Sequence, residues 1–322
     1  MKSDSKVLLA RFQSLLALVL MVVALSLASD QFLTISNLRN ILLQISINLC
    51  LSIGMTLIIL SGGIDLSVGS VLALAGAVAA GLLKNGLTLP RFGVVIQFTV
   101  FGAIIGGIVV GLVLGWFNGF VITRFKLPPF VATLGMLSVA RGLTMLWTGG
   151  FPITRLGDRF GFIGTGHIAG IPMPVWISVA LVGAFVLVAR QTTFGRHLYA
   201  VGGNERAAML SGVNVGRLKV WVYTLGGGLA GIAGLLLTAR LDSATPSAGI
   251  GYELDSIAAV VIGGTSLSGG RGSILGTVLG CLIIGVLNNG LVLLAVSPFW
   301  QQVIKGFVIL AAVALDKMSA KD

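Results

Sequence analysis

Long apolar runs separated by short polar segments dominate this sequence and limit what it can fold into. Of its 322 residues, 56% are hydrophobic and only 10% are charged, whereas soluble domains carry roughly 25% charged residues. With one span per roughly 20 apolar residues, the sequence predicts an all-α integral membrane protein of about ten transmembrane helices. Residues 1–322 are expected to form a single transmembrane domain, with no room for a soluble catalytic domain.

The apolar runs predict where the spans lie. We predict spans at 10–28, 41–60, 66–83, 93–121, 130–147, 172–189, 220–240, 254–264, 274–295 and 299–315. The fourth run exceeds one upright helix and predicts a tilted one. The eighth is too short to cross a bilayer and predicts a broken or short helix in the second half. Residues 61–70 and 263–273, rich in glycine and serine, predict breaks.

The basic residues indicate an orientation. The net charge of +11 comes from lysines and arginines at the ends of the apolar runs, which is typical of cytoplasmic loops and does not require nucleic acid. With both termini in the cytoplasm, most of these residues, including Lys2, Lys6 and Lys321, face inward. The motif at 26–28 resembles a signal-peptidase site. We nevertheless expect the first span to stay uncleaved, because ten spans are needed to put both termini on the same side of the membrane. The sequence thus predicts a multi-pass membrane protein with both termini in the cytoplasm.

The most basic loop, residues 190–219, contains a predicted short helix at 204–212. Asn204 is a favourable N-cap, and Glu205 suits the positive end of the helix dipole. Gly212 can adopt the left-handed conformation that ends a helix. A capped helix beside a bilayer suits contact with another protein, and the alternative is a solvated charged loop.

Glycines recur every four positions in the fourth run, at Gly107, Gly111, Gly115 and Gly119. Small residues at this spacing allow the backbones of two helices to approach closely in lipid. Packing inside the helix bundle is one interpretation of this row, and a seam between two copies of the chain is the other.

The chain carries few groups that could catalyse a reaction. It has no phosphate-binding loop, no H-E-x-x-H motif and no G-x-S-x-G motif. Cys50 and Cys281 lie within apolar runs, and His167 and His197 are assigned to loops without metal-ligand spacing. We therefore predict no catalytic residues, no metal site and no cofactor bound by this chain.

Polar side chains within the apolar layer are candidates for function. Glu253 and Asp255 are expected to cap the short eighth span. Arg141 and Lys305 either pair with acids across the bundle or reach the membrane interface. Candidates for a wet translocation path are Gln44, Asn48, Thr56, Asp65, Asn118, Asn288 and Asn289. Hydrogen bonds between helices are the alternative for the amides and hydroxyls, and capping of the third helix is the alternative for Asp65.

Several motifs together resemble one transporter family. The segment Gly-Met-Thr-Leu-Ile-Ile-Leu-Ser-Gly-Gly-Ile-Asp-Leu-Ser-Val-Gly-Ser at 54–70 is similar to the signature of permease subunits of sugar ABC importers. Residues 128–135, 195–196 and 200–212 match the same family, and residues 251–273 are most similar to its ribose permeases. Branched-chain amino-acid permeases share part of the last motif but are not expected to carry the Gly-Gly-Ile-Asp-Leu-Ser signature.

The resemblance implies a fold similar to the vitamin B12 importer permease and import of a monosaccharide, and the motifs favour ribose or a similar pentose. Alternatives are another sugar, an autoinducer or a branched-chain amino acid. Implied partners are a second permease copy, a cytoplasmic ATPase that binds ATP and magnesium, and a periplasmic or lipid-anchored sugar-binding protein. Coupling to the ATPase would fall on Gly195, Arg196, Asn204, Glu205, Arg206, Ala207, Ala208 and Gly212.

Two rival functions stay open at this point. A self-contained, ion-coupled secondary transporter would need a buried acid that titrates during transport, and it would work without a partner. A membrane-embedded enzyme would need a catalytic constellation, which the sequence does not contain.

Overall fold

Helices account for most of the computed structural model, which describes residues 2–89, 91 and 93–319 and the side chains of 15–88, 91 and 93–314. Lys321, which the orientation prediction uses, lies outside the described residues. The helices are α1 (Lys2–Ala28), α2 (Ile35–Leu60), α3 (Val68–Lys84), α4 (Val100–Arg124), α5 (Pro129–Thr148), α6 (Asp158–Thr165), α7 (Met173–Gln191), α8 (Thr193–Gly203), α9 (Glu205–Leu210), α10 (Val215–Leu241), α11 (Tyr252–Ile262), α12 (Ile274–Leu293) and α13 (Pro298–Ser319).

Short antiparallel strand pairs connect some of these helices. They are β1 (Leu87–Leu89) with β2 (Val94–Ile96), β3 (Ile153–Thr154) with β6 (Ser243–Ala244), and β4 (His167–Ile168) with β5 (Ile171–Pro172). None of these strands was predicted from the sequence. Each is too short to carry a clear alternating pattern of polar and apolar residues.

Among the described residues, α2, α4, α5, α7, α10 and α12 are each long and apolar enough to cross a membrane. Apolar segments of 10–17 residues lie in α1, α3 and α13. The prediction of an all-helical membrane protein is confirmed at this level. The total of about ten spans stays a prediction.

The fourth predicted span begins too early. Residues 94–96 form strand β2, and α4 begins only at Val100, where the Thr99 hydroxyl accepts a hydrogen bond from the Gly102 N–H. Sequence reasoning joined strand and helix because both are apolar. Only part of the excess length behind the predicted tilt belongs to the strand, because α4 itself has 25 residues.

The remaining predicted spans agree with helices to within two residues or lie inside them. The eighth is confirmed as a short helix, since α11 has 11 residues. Both predicted breaks are present, before α3 and between α11 and α12. His197, assigned to a loop from the sequence, lies in α8 instead.

The chain divides into two compact units. The central unit comprises Gly63–Ser178 and Asn214–Glu253, and the terminal unit comprises the residues up to Gly62, Val179–Val213 and those from Leu254 onward. The single domain predicted over residues 1–322 stays a prediction.

In the central unit, the glycine row of α4 packs against α10. A Cβ added to Gly111 would overlap the Gly227 carbonyl, and one added to Gly115 would overlap the Tyr223 carbonyl. Gly119 lies against the backbone of Val220 in the same way. Packing inside the bundle is therefore confirmed for this row, and a seam between copies is wrong, because α10 already occupies it.

In the terminal unit, α2 is buried along most of its length and packs against α12. Beside it, α12 packs on the short α11 through glycines. A Cβ on Gly276 would overlap the Gly263 carbonyl, and one on Gly280 would overlap the Ala259 carbonyl. The small side chains thus hold the two helices at close backbone distance.

Candidate functional site

The predicted helix of the basic loop is present as α9. The side chain of Asn204 accepts a hydrogen bond from the Ala207 N–H at 3.0 Å, which makes Asn204 the N-cap. Gly212 follows the helix with a φ of +87°, a conformation that favours glycine. The capped helix is confirmed, and its role in coupling stays a prediction.

Gly195 and Arg196 lie in α8, a helix that sequence reasoning missed. The Thr192 hydroxyl caps it by accepting from the Gly195 N–H at 3.2 Å. Gly195 is buried, and a Cβ there would overlap the Ala189 carbonyl at the end of α7. The glycine thus allows the chain to turn sharply from α7 into α8, while Arg196 is exposed.

The α9 helix presents both charged and apolar side chains at its surface. Glu205, Arg206 and Ala207 are exposed, and Ala208 is buried. Met209 is 59% exposed and Leu210 is 86% exposed. Sequence reasoning overlooked these two apolar residues, although their place at the end of a capped helix was a signal. A surface with exposed apolar and charged side chains is more typical of a protein contact than of a solvated loop.

The other end of α8 meets two further segments of the terminal unit. A Cβ on Gly202 would overlap the Leu60 carbonyl at the end of α2. The Gly270 N–H donates to that same carbonyl at 3.0 Å. The Tyr199 hydroxyl donates to the Gly272 carbonyl at 3.1 Å. We call this contact, made by Gly202, Leu60 and Gly270, the glycine joint.

Most of the candidate path residues of the terminal unit join helices by hydrogen bonds. Thr56 shares a hydroxyl–hydroxyl hydrogen bond of 2.6 Å with Thr277. Asn289 exchanges two amide hydrogen bonds with Asn37, at 3.0 and 2.7 Å. These contacts are those of the alternative interpretation, hydrogen bonding between helices.

Asn48 follows that pattern, whereas Gln44 does not. Asn48 Oδ1 accepts from the Ser256 hydroxyl on α11 at 3.3 Å. Gln44 is exposed on the surface of α2. A role for either residue in a translocation path stays a prediction.

An ion pair lies beside Asn288 in the same unit. Lys305 Nζ of α13 lies 3.0 Å from Asp255 Oδ2 in the first turn of α11. Asn288 Nδ2 donates to the same oxygen at 3.4 Å. The expectation that Lys305 pairs with an acid is confirmed, and Asp255 serves this pair rather than capping its own helix.

In the central unit, Asp65 and Asn118 meet at Ser67. Asp65 Oδ1 accepts from the N–H and the hydroxyl of Ser67, at 2.7 and 2.6 Å, and Asn118 Nδ2 donates to the Ser67 hydroxyl at 3.1 Å. Ser67 directly precedes α3, so the carboxylate holds the entry to that helix without bonding an amide inside it. All three side chains are buried.

Arg141 makes contacts that the sequence did not predict. Its guanidinium donates to the carbonyls of Pro246 and Ala248, at 2.5 and 2.8 Å. Backbone carbonyls that are not used in a helix can accept from a half-buried arginine, so Arg141 holds the segment before α11. Glu253 Oε1 accepts from the Gly251 N–H at 3.3 Å, in line with its predicted position at the start of α11.

These features define a class of protein. Apolar helices of spanning length are joined by amide, hydroxyl and ion-pair contacts, and the basic loop carries a short capped helix at the surface. The chain therefore has the features of an integral membrane protein with a surface helix that suits contact with a partner.

Comparison with known proteins identifies the family. A family model described as the permease component of the branched-chain amino acid transport system matches residues 37–313. The chain belongs to this family of transport permeases, and it is a protein of the inner membrane.

Ribose import permease proteins are among its most similar relatives. The one from Bacillus subtilis (strain 168) is 50% identical over 307 residues, which cover 94% of this chain and 91% of the relative. That from Escherichia coli (strain K12) is 46% identical, with 97% and 95% covered. That from Haemophilus influenzae is 45% identical, with 94% and 92% covered. The predicted resemblance to sugar permeases is thus confirmed.

Proposed function

We propose that this chain is the membrane-spanning subunit of an ATP-driven importer that moves ribose or a similar pentose into the cell. The observation that carries the proposal is identity of 45–50% to ribose import permeases along nearly the whole chain. Another small polar solute of the same superfamily is the alternative. An ion-coupled secondary transporter is less favoured, since the buried Asp65 is occupied by hydrogen bonds to Ser67.

The partners follow from this assignment. A cytoplasmic ATPase subunit binds ATP and magnesium, a periplasmic or lipid-anchored protein delivers the sugar, and a second copy of the chain completes a homodimer. Both termini face the cytoplasm, which places loop 190–219 on the ATPase side. The fold is similar to that of the vitamin B12 importer permease.

Movement would enter the permease through the basic loop. ATP binding to the partner shifts the two copies between outward-open and inward-open states, and the exposed face of α9 receives that shift. The capped α9 and the buried Gly195 support this role, because together they hold the loop in a defined shape. The glycine joint then links α8 to the end of α2.

Reconstitution tests the proposal. The purified chain is placed in liposomes alone, or together with its ATPase subunit and binding protein, and uptake of radiolabelled ribose, glucose and leucine is measured. We expect ATP-dependent accumulation of ribose by the complete set and none by the chain alone. Accumulation by the chain alone, driven by a proton or sodium gradient, would instead establish a secondary transporter.

A second experiment tests the docking helix. Glu205→Ala combined with Arg206→Ala is expected to abolish ribose uptake while the protein still inserts and folds. Asp158→Ala combined with Arg159→Ala is a matched control, because this exposed acid–base pair also begins a helix, α6. Full uptake by the first variant would show that α9 does not couple to the ATPase.

A further inference from the structure

Polar side chains from three helices of the terminal unit meet at the first turn of α11. Asp255 Oδ2 lies 3.0 Å from Lys305 Nζ of α13 and accepts from Asn288 Nδ2 of α12 at 3.4 Å. One residue further along α11, Ser256 donates to Asn48 Oδ1 of α2 at 3.3 Å. Four helices thus contribute to one polar region.

Of the two polar atoms of the Asn288 amide, only the nitrogen takes part in this region. Asn288 is 7% exposed, and its Oδ1 has no hydrogen-bond partner among the described residues. A buried acceptor without a donor is costly, because the folded state does not replace the hydrogen bond that water made. Natural structures retain such groups where they serve a function.

The ion pair beside Asn288 is only partly buried. The side chain of Lys305 is 28% exposed and that of Asp255 is 11% exposed. Charged groups on membrane helices are costly, so they usually pair or mark a solute pathway. An 11-residue helix is about 16 Å long and cannot span a hydrocarbon core of about 30 Å. The helix α11 therefore cannot cross that layer by itself.

We propose that Asp255, Asn288 and Lys305 form a binding site for the hydroxyl groups of a neutral sugar during its passage, an inference that rests on the proposed function. Sugar hydroxyls donate to Asn288 Oδ1 and to the carboxylate, and they accept from the Lys305 ammonium. Because the carboxylate and the ammonium cancel in charge, the site favours a neutral polyhydroxylated solute over an ion. The unpartnered oxygen is the acceptor that the sugar satisfies.

Asn288→Leu tests the site in the complete importer. At saturating binding protein, ribose uptake per molecule of folded importer is expected to fall about tenfold, the effect of one lost hydrogen bond worth 1.4 kcal/mol. Thermal stability is expected to change little, because Asn288 Oδ1 has no internal partner and the bond from Nδ2 is long.

Thr277→Val is the matched control on the same helix. Its hydroxyl is already paired with Thr56 at 2.6 Å, so its loss lowers stability and leaves uptake per folded molecule unchanged. If Asn288→Leu does not fold, Asn288→Thr and Asn288→Val replace it, since they have the same shape and differ by one hydroxyl. The threonine variant is then expected to transport several-fold faster than the valine variant.

The outcomes separate this inference from the proposed function. If the wild-type importer, with its partners, accumulates no ribose, the proposed function fails and takes the site with it. If the wild type accumulates ribose and the Asn288 variants match it, only the site is overturned. A loss of uptake that parallels a loss of thermal stability would show a purely structural contact and would also overturn the site.

Discussion

Glycine brings backbones into contact in both units, but in two different ways. In the central unit, Gly111 and Gly115 belong to a continuous row along α4 that lies against α10. In the terminal unit, the glycine joint gathers single residues from α8, the end of α2 and the break after α11. The row forms the contact between two whole helices, α4 and α10, which is called the seam below. The glycine joint is instead a local contact between the ends of segments.

The difference matters for how each contact responds to change. A seam fixes the distance between two long helices, so one added side chain displaces backbone along several turns. A joint fixes only the ends of three segments, and each end can shift by a small rotation of its loop. The seam is therefore expected to be rigid and the joint to be the more compliant contact.

The seam gives the largest predicted effect. Gly111→Val places its side chain against the Gly227 carbonyl and within 3.1 Å of the Gly231 Cα, neither of which can rotate away. We expect a loss of stability at or above the upper end of about 1–3 kcal/mol, the usual cost of overpacking. The midpoint of thermal unfolding in detergent measures it.

Gly142→Val is the control for that substitution. Gly142 lies in the middle of α5 and has no atom within 4 Å of an added Cβ, so the same change of helix propensity occurs without a clash. Equal midpoints for the two variants would mean that α4 and α10 are not in close backbone contact.

The seam was readable from the sequence and the joint was not. A four-residue spacing of glycines is a local pattern, and it indicates close helix packing wherever it occurs. Gly202 and Gly270 are 68 positions apart, and their contact depends on how α8 and the break after α11 are placed in three dimensions. No local periodicity reports such a contact.

The same distinction applies to the candidate sites. The Asn204 cap of α9 was predictable because a cap acts within one turn. The sequence predicted that Lys305 pairs with an acid, but not that the acid is Asp255. Side chains 50 positions apart meet only after the helices pack. Strand β2 was missed because its apolar residues run into those of α4.

At the glycine joint we expect effects of intermediate size on stability. Substitution of Gly202 is expected to destabilise the protein, whereas substitution of its neighbour Gly203 is not. Gly202→Ala is expected to cost about 1–3 kcal/mol of stability, because its methyl group would overlap the Leu60 carbonyl. Gly203→Ala has nothing within 4 Å and is expected to be neutral or to stabilise by up to about 1 kcal/mol, as alanine does in a helix. Thermal unfolding of the two variants side by side measures the difference, and equal midpoints would show that α8 does not press on α2.

The smallest predicted effect concerns the hydrogen bond of Tyr199, which lies beside the glycine joint. Tyr199→Phe removes only the hydroxyl that donates to the Gly272 carbonyl at 3.1 Å. Tyr199 is half-buried, so water can replace the lost donor, and we expect a cost at the low end of about 0.5–1.5 kcal/mol.

Combining Tyr199→Phe with Gly202→Ala gives a double-mutant cycle measured by thermal unfolding. If the packing and the bond act on one rigid contact, the combined loss differs from the sum of the single losses by more than about 0.5 kcal/mol. Strict additivity would mean that the packing at Gly202 and the hydrogen bond of Tyr199 stabilise the protein independently.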